Sequence, residues 1–383
     1  MQTQLLNATI PGISHIFMPD KSILTKVIEE LKTAQNHDAS LVRCKTIIKE
    51  LESELDARVI SFFSSEEGAD ESSLINDEDA FVIENLLSIP TTKKHVMLIV
   101  HSNGGFSLSA ERIIEVCKTY CKNRNDGSKF YVFVPKKAKS AATIVALGAD
   151  QIFLRDTAEL GPVDPQFLIQ DEGGNIRTQP AYLFVDALEN LGLRNEKRRF
   201  WSSGEDDHTN NQHLAKLPGD AKIKLLEQCN YPLYVNSKNE LGLSDSIVEK
   251  IAKQKIAANN QIRITDFDIF RDPHITKSHG RLINFADLQS NSLYTQKVIQ
   301  ELSKFFPGDE QKFKKVDAML WELYVRERMV LNDVGNHLVK HIESTDELFM
   351  MQGMKKGQPK GQQSSPQAAP AAPPRPNPAP PNL

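Results

Sequence analysis

The hydrophobic pattern in the middle of the chain alternates between two kinds of segment. Residues 95–100 (HVMLIV) and 129–134 (KFYVFV) are continuous apolar runs, which are typical of strands buried on both faces of a parallel sheet. Residues 107–123 show helical periodicity, and the pattern predicts a short small-residue helix at 140–148 and a third strand at 151–154. Strands and helices in this order predict right-handed βαβ crossovers and an α/β layer fold.

Further elements precede this core. Residues 21–56 repeat Ile, Leu and Val at helical spacing with charges between them, and predict two amphipathic helices. Residues 58–63 (RVISFF) predict a strand. Residues 77–88 predict a helix that starts near the capping residue Asn76.

The pattern after the core is mainly helical from 181 to 258, apart from a polar interruption at 202–220. We expect these helices to pack on the core and frame its cleft. A loop-rich region follows at 260–290, and charged amphipathic helices return at 291–345. Residues 351–383 hold almost no bulky apolar side chains, and therefore predict a disordered tail rich in Pro, Ala and Gln.

The composition limits the classes of function. A chain of 383 residues with 40% hydrophobic residues can bury a substantial core. A net charge of −4 gives no general attraction to nucleic acid or anionic membranes. The N-terminus lacks a signal-peptide pattern, and no run reaches the roughly 18 apolar residues that a membrane span needs. We therefore expect a cytoplasmic protein with no transmembrane segment and no nucleic-acid partner.

The four cysteines are too few for a disulfide framework, and none forms a C-x-x-C pair. Cys117 and Cys121 lie one helical turn apart, and we interpret them as two half-buried thiols on one helix. We expect reduced thiols, no metal and no cofactor.

Two turns at the carboxyl ends of successive predicted strands carry the candidate chemistry, because ligands collect at that edge of a parallel sheet. The first turn (HSNGGF) contains Gly104 and Gly105, whose missing Cβ atoms let backbone N–H groups approach a developing oxyanion. The second turn (PKKAKSAAT) places Ser140 at the start of a helix, where the N–H groups and the helix dipole favour negative charge. A serine in this position is equally compatible with a simple N-cap.

The two turns belong to a four-part constellation. Its parts are IVHSNGG (99–105), AKSAAT (138–143), GADQI (148–152) and LGPVDPQ (160–166). The set resembles the ClpP, SppA and crotonase superfamily, and within it the SppA-like serine dehydrogenase proteinase family. The resemblance is strong over 94–166. It implies a ClpP/crotonase-like parallel βαβ core with helical N- and C-terminal additions.

By this resemblance Ser140 is the nucleophile of a serine peptidase. The N–H groups of Gly104 or Gly105 and of Ala141 take the oxyanion-hole positions, and the chemistry of the two turns assigns the same atoms the same tasks. In ClpP-like enzymes a histidine base follows the serine, whereas here the corresponding neighbourhood is GPVDPQ. Asp164 stands near that place, where it either orients a base or shapes the site.

The general base has two candidates. SppA-like enzymes use a lysine from a later helix, and Lys197 is the nearest candidate downstream, although its arginine neighbours also fit a solvated basic face. His279 lies in the loop KSHGRLINF and could serve near neutral pH, or could be an exposed loop histidine. Two other polar residues have mainly structural interpretations. His101 precedes the glycine turn, where a hydrogen-bonded supporting role is favoured over lining the site, and Asp150 is expected to fix a turn through backbone hydrogen bonds.

The leading hypothesis is a serine peptidase, independent of ATP and cofactor, that attacks an extended peptide through Ser140 and forms an acyl-enzyme. One alternative is a non-catalytic scaffold that binds a peptide or partner through the same cleft. Another is a crotonase-like acyl-CoA enzyme, which the pattern disfavours because the cleft-forming turns offer no clear glutamate. Relatives on this fold assemble into symmetric oligomers, so we expect a homo-oligomer.

This interpretation divides the chain into four parts. They are an N-terminal helical arm at 1–56, a ClpP/crotonase-like serine peptidase domain at 57–290, a C-terminal helical region at 291–350 and the disordered tail at 351–383.

Overall fold

A seven-stranded sheet with helices on both faces organises the molecule. The structure is a computed structural model that describes residues 22–34, 38–65, 71–170, 176–188, 218–220, 223–224, 231–276, 278, 280–332 and 338–352. The strands are β1 (Ala57–Ser64), β2 (His95–His101), β3 (Phe130–Val134), β4 (Lys137–Ala138), β5 (Gln151–Leu154), β6 (Glu159–Leu160), β7 (Gln166–Gln170), β8 (Ile176–Pro180), β9 (Ile299–Glu301), β10 (Leu338–Glu343) and β11 (Leu348–Gln352).

The longer helices are α1 (Ile23–Ala34), α2 (Asp38–Leu55), α3 (Asp77–Ser88), α4 (Ser107–Arg124), α5 (Ala141–Gly148), α6 (Ala181–Leu188), α7 (Tyr231–Ala258) and α8 (Glu310–Leu331). Short helical turns lie at Glu71–Ser73, Ile264–Phe267, Asp268–Arg271, Pro273–Thr276, Phe285–Leu288, Ser292–Thr295 and Leu302–Phe305. Among the described residues, no helix combines the length and the apolar character needed to cross a membrane.

The sheet has the order β11-β10-β1-β2-β3-β5-β9. The strands β1, β2, β3, β5 and β9 are parallel, whereas β10 pairs antiparallel with β1 and β11 pairs antiparallel with β10. Helices connect the parallel strands, so the predicted α/β fold class is confirmed. Outside this sheet, β4 pairs with β6, and β7 pairs with β8 in a hairpin.

Alternate strand residues face two helical layers, as the period-2 geometry of a strand requires. Phe62, Leu98 and Val132 face the layer made by α3, α4, α5 and α7, which we call the α5 layer. Phe63 and Ile99 face the opposite layer, made by α1, α2 and α8, which we call the α8 layer. Because both faces are covered, the strands read in the sequence as continuous apolar runs.

Two local predictions are confirmed at element ends. The helix α3 begins after Asn76, whose side chain accepts a hydrogen bond from Glu78 N while the Asp79 carboxylate accepts one from Asn76 N. Asp150 fixes the turn before β5, because its Oδ2 accepts the Phe130 N–H at 2.8 Å. Asp150 therefore has the structural role expected of it.

The helical prediction for residues 291–345 is wrong in part. The helix α8 lies within it, but β9 and β10 join the central sheet, and β11 follows directly. All six residues of β10 are buried, including charged ones, and buried charges imitate the polar face of a helix in a sequence pattern. The sheet therefore uses strands from both sides of the expected boundary at residue 290.

The expected N-terminal arm is also more deeply packed than the pattern indicated. Its two helices are confirmed as α1 and α2, but Ile47 and Leu51 of α2 are fully buried in the α8 layer. The disordered tail expected at 351–383 lies outside the described residues from 353 onward, as does most of the polar interruption at 202–220.

Candidate active site

Ser140 lies in a strained turn between β4 and α5. Its backbone has φ 48° and ψ −120°, a conformation that side-chain-bearing residues rarely adopt and that is found most often at functional sites. The Ser140 N–H donates to the Pro162 carbonyl at 3.1 Å, which holds the turn in place. The side chain makes no capping hydrogen bond to α5, so the interpretation as a simple N-cap is wrong. The residue is half-buried and lies next to the fully buried Ala141.

The glycine turn touches the serine turn. A Cβ atom on Gly104, which has φ 107°, would lie 2.7 Å from both Ser140 Cβ and the Lys139 carbonyl oxygen, and 3.0 Å from Ala141 N. A Cβ atom on Gly105 would overlap the backbone of Ile75. The two paired glycines thus allow close backbone approach on two different sides, as the motif predicted.

The backbone donors of the two turns are not equivalent. The Gly104 N–H donates to Ser102 Oγ at 3.1 Å, and the Gly104 carbonyl accepts the Ile75 N–H at 2.9 Å. In the described part of the chain, the N–H groups of Gly105 and Ala141 donate no hydrogen bond. Of the two glycines proposed as oxyanion donors, Gly105 therefore has the available N–H group.

The segment 160–166 is held next to the serine turn by hydrogen bonds to α5. Thr143 Oγ1, which is fully buried in α5, lies 2.8 Å from the Ala138 carbonyl and 2.9 Å from the Gly161 carbonyl. It also accepts the Gly161 N–H at 3.1 Å. The Thr143 hydroxyl thus joins β4, which precedes Ser140, to the LGPVDPQ segment. Two of the four sequence motifs are therefore in direct contact.

Lys139 is a nearby basic residue that the sequence reasoning did not single out. Its Nζ forms an ion pair with Glu159 at 2.9 Å and donates to the carbonyls of Leu160 and Arg281 at 3.3 and 3.2 Å. An ammonium group with three acceptors is suited to tether the loop around residue 281 to β6. The sequence could have drawn attention to Lys139, because this residue directly precedes Ser140.

Asp164 is buried, with 2% of its surface exposed, in the turn after β6. Burial raises the pKa of Tyr182, and the Asp164 charge raises it further, which places this carboxylate near α6. The two expected bases, Lys197 and His279, lie outside the described residues. Which group takes the proton of Ser140, and whether Asp164 orients it, stay predictions.

His101 is packed behind the glycine turn. Its ring lies 5.8 Å from the ring of Phe63 and 5.0 Å from that of Tyr324, measured between centroids. Both partners belong to the α8 layer, on the sheet face opposite α5. This position agrees with the structural interpretation of His101.

Comparison with known proteins gives a family match. Residues 23–177 match the model of the family described as ClpP-like SDH-type serine proteinase. The match contains all four motifs and confirms the resemblance to the serine dehydrogenase proteinase family. It supports a serine peptidase at the level of the family.

Two curated relatives are uncharacterized proteins of Methanocaldococcus jannaschii. One is 31% identical over 163 residues, which is 41% of this chain and 51% of the relative. The other is 31% identical over 130 residues, which is 33% of this chain and 41% of the relative. The chain thus spans about half the length of the curated relatives it matches.

Two solved structures are similar to part of the chain. Both are mutants of the 1510-N membrane-bound stomatin-specific protease, one of them in complex with a substrate peptide, and they are 17% and 15% identical to this chain. Each match covers 30% of this chain, and 52% or 55% of the solved chain, with a TM-score of 0.23.

Proposed function

We propose that the protein hydrolyses peptide bonds and that Ser140 is the nucleophile that forms the acyl-enzyme. The observation that carries this proposal is the strained backbone of Ser140, whose side chain caps no helix and whose Cβ contacts the glycine turn. Strain of this kind costs of order 1–3 kcal/mol and persists where the surroundings fix it, which here they do through Pro162 and Gly104.

The proposed reaction begins with attack of Ser140 Oγ on the carbonyl carbon of the scissile peptide while a general base accepts the hydroxyl proton. The N–H groups of Gly105 and Ala141 stabilise the oxyanion of the tetrahedral intermediate, assisted by the positive end of α5. The intermediate collapses as the leaving amine takes the proton. Water then attacks the acyl-enzyme, and the acid is released with Ser140 regenerated.

The base is proposed from the sequence. Lys197 or His279 accepts the proton, and Asp164 orients that base or shapes the site. A lysine base would need a pKa lowered by burial, whereas a histidine base would titrate near neutral pH. The pH dependence of the acylation rate in Lys197→Met and His279→Asn variants decides between them.

The substrate is proposed to be an extended peptide with an apolar side chain near the cleaved bond. Phe106, directly after the glycine turn, is 55% exposed, and Leu108 in the first turn of α4 is 47% exposed. Exposed apolar side chains beside a reactive centre offer a contact surface for apolar groups of a substrate. A cytoplasmic location and a homo-oligomeric state stay predictions.

Labelling with a fluorophosphonate probe tests the proposal. We expect the wild type to be labelled at Ser140, located by mass spectrometry, and Ser140→Ala to show no labelling. Ser246→Ala is the matched control, because Ser246 is an exposed serine on α7 whose hydroxyl donates to the Leu243 carbonyl of the same helix. Wild-type protein that hydrolyses peptides but is labelled at another serine would overturn the assignment. Peptide binding without labelling or turnover would favour the non-catalytic scaffold.

A further inference from the structure

A second cluster of reactive side chains is buried in the α8 layer, on the sheet face opposite Ser140. It consists of Cys44 on α2, Glu327 on α8, and His341 and Glu343 on β10, and each residue is at most 1% exposed. His341 and Glu343 are two positions apart on one strand, so both side chains project from the same face. We call this set the buried cysteine–carboxylate cluster.

The donor atoms of the cluster converge. Cys44 Sγ and one carboxylate oxygen each from Glu327 and Glu343 all lie within 4.8 Å of one another. In a tetrahedral zinc shell, with bonds of about 2.0–2.3 Å, neighbouring ligand atoms are about 3.5 Å apart, so the three donor atoms would approach one another by up to about 1.3 Å and fill three of the four positions. His341 Nδ1 contacts Glu327 Oε2, and Ser61 Oγ lies 3.4 Å from Glu327 Oε1.

Glu327 has His341 as its partner, but Glu343 lacks the compensation that other buried carboxylates have. Asp79 forms an ion pair with Lys340 at 2.8 Å, and Asp268 forms one with Arg271 at 3.0 Å. Glu343, in contrast, has no ion pair within the described ranges, and its Oε2 has no hydrogen-bond partner there. A buried carboxylate without a partner is costly, which indicates that a cation or a proton completes this site.

The alternative to a bound cation is that Glu343 and Cys44 are protonated. Burial, followed by the charge of Glu327, raises the pKa of Glu343 to about 8. Burial and the same two carboxylates raise the pKa of the Cys44 thiol. A protonated network would therefore be neutral at Glu343 and Cys44, whereas a metal ion would require both groups to be ionised.

We propose that Cys44, Glu327 and Glu343 bind a divalent transition metal ion, with His341 orienting the Glu327 carboxylate. One thiolate and two carboxylates are donors that Zn²⁺ accepts, and a histidine in contact with a ligating carboxylate is a common supporting partner. The ligands come from α2, α8 and β10, so the ion joins the N-terminal and C-terminal elements across one face of the sheet. The ion has a structural role, because the Ser140 turn lies in the other layer.

The test uses the full chain, dialysed against a chelator and then titrated with Zn²⁺ or Co²⁺. We expect the wild type to bind one ion per chain, to show the near-ultraviolet charge-transfer absorption of a cobalt thiolate, and to gain several degrees in Tm with Zn²⁺. Cys44→Ser is expected to lose the absorption band and to weaken binding by at least about 100-fold. Cys117→Ser is the matched control, because Cys117 is an equally buried thiol in the α5 layer.

Glu343→Gln separates the metal from the protonated network. Glutamine imitates a protonated glutamate, so a protonated network predicts unchanged or higher stability, with no response to Zn²⁺. Under a protonated network neither the wild type nor the variant responds to Zn²⁺, whereas the metal site predicts a Zn²⁺-dependent rise in the Tm of the wild type that the variant loses. The inference is overturned if the wild type shows no cobalt-thiolate absorption and no stoichiometric Zn²⁺, a result that does not depend on the folding of any variant.

Discussion

The close contact between Gly104 and the serine turn can be tested by comparing two glycine-to-alanine variants. Gly104 and Gly127 both have positive φ, at 107° and 78°, so an alanine is strained at either position by roughly 1–2 kcal/mol. They differ in their surroundings. Nothing lies within 4 Å of a Cβ atom on Gly127, whereas a Cβ atom on Gly104 meets Ser140 Cβ and the Lys139 carbonyl oxygen at 2.7 Å.

Gly104→Ala adds an overlap that the structure can relieve only by moving backbone. Overpacking of this kind costs about 1–3 kcal/mol, so Gly104→Ala should lower the free energy of unfolding by roughly that much more than Gly127→Ala. Relief of the overlap moves Ser140 and Ala141 away from the glycine turn. Loss of one oxyanion donor lowers a rate by about 10²–10³-fold, so we expect the acylation rate of Gly104→Ala to fall by at least about 100-fold.

The assays are urea denaturation for the free energy of unfolding and the rate of fluorophosphonate labelling at Ser140 for acylation. Labelling is measured in the absence of urea, where both variants remain folded. Gly127→Ala should label at the wild-type rate. If Gly104→Ala also labels at the wild-type rate and is no less stable than Gly127→Ala, the contact described between the two turns is not part of the active arrangement.

Three further variants test other contacts. Thr143→Val leaves the Ala138 and Gly161 carbonyls and the Gly161 N–H group without their hydroxyl partner. Urea denaturation should show a free energy of unfolding lower by about 1–3 kcal/mol, and labelling at Ser140 should slow. An unchanged labelling rate would show that this contact does not support the site. Asp79→Asn leaves the buried Lys340 ammonium without its carboxylate and should lower the free energy of unfolding by about 3–5 kcal/mol. A decrease below about 1 kcal/mol in the same assay would contradict this reasoning. Burial lowers the pKa of Lys255 from 10.5 to about 8, so the unfolded chain binds this proton more tightly than the folded one. The free energy of unfolding should therefore rise by up to about 3 kcal/mol between about pH 8 and pH 10.5, and denaturation of Lys255→Met across that window should lack this rise.

The core of the fold was predictable because its signal is local. The apolar runs of β2 and β3 and the periodicity of α4 each lie within one short segment, and chirality rules fix how such segments connect. The strand β10 was not predictable in this way. Its sequence, LVKHIE, carries Lys340, His341 and Glu343, and their burial depends on partners that lie far away in the chain.

The candidate site likewise has one part that the sequence predicted and another that only the structure shows. Gly104 and Ser140 could be proposed because each stands in a recognisable strand-to-helix turn. The strain at Ser140, the occupied N–H group of Gly104 and the hydroxyl bridge of Thr143 all required the coordinates, because each involves contacts between separate turns. No spacing rule in a sequence states which of two adjacent glycines has a free donor.

The cysteine–carboxylate cluster shows how the two faces of one sheet support different chemistry. Ser140 depends on backbone geometry at the carboxyl edge of the parallel strands, where a half-buried hydroxyl stays open to a substrate. Cys44, Glu327 and Glu343 lie behind the sheet, where burial excludes a large substrate but strengthens every electrostatic interaction. Polar groups in such a position are retained at a cost to stability unless a partner such as a proton or a single ion completes them. A Zn²⁺-dependent rise in Tm that the wild type shows and Glu343→Gln lacks would therefore explain why the C-terminal strand carries charges into the core, independently of whether Ser140 is the nucleophile.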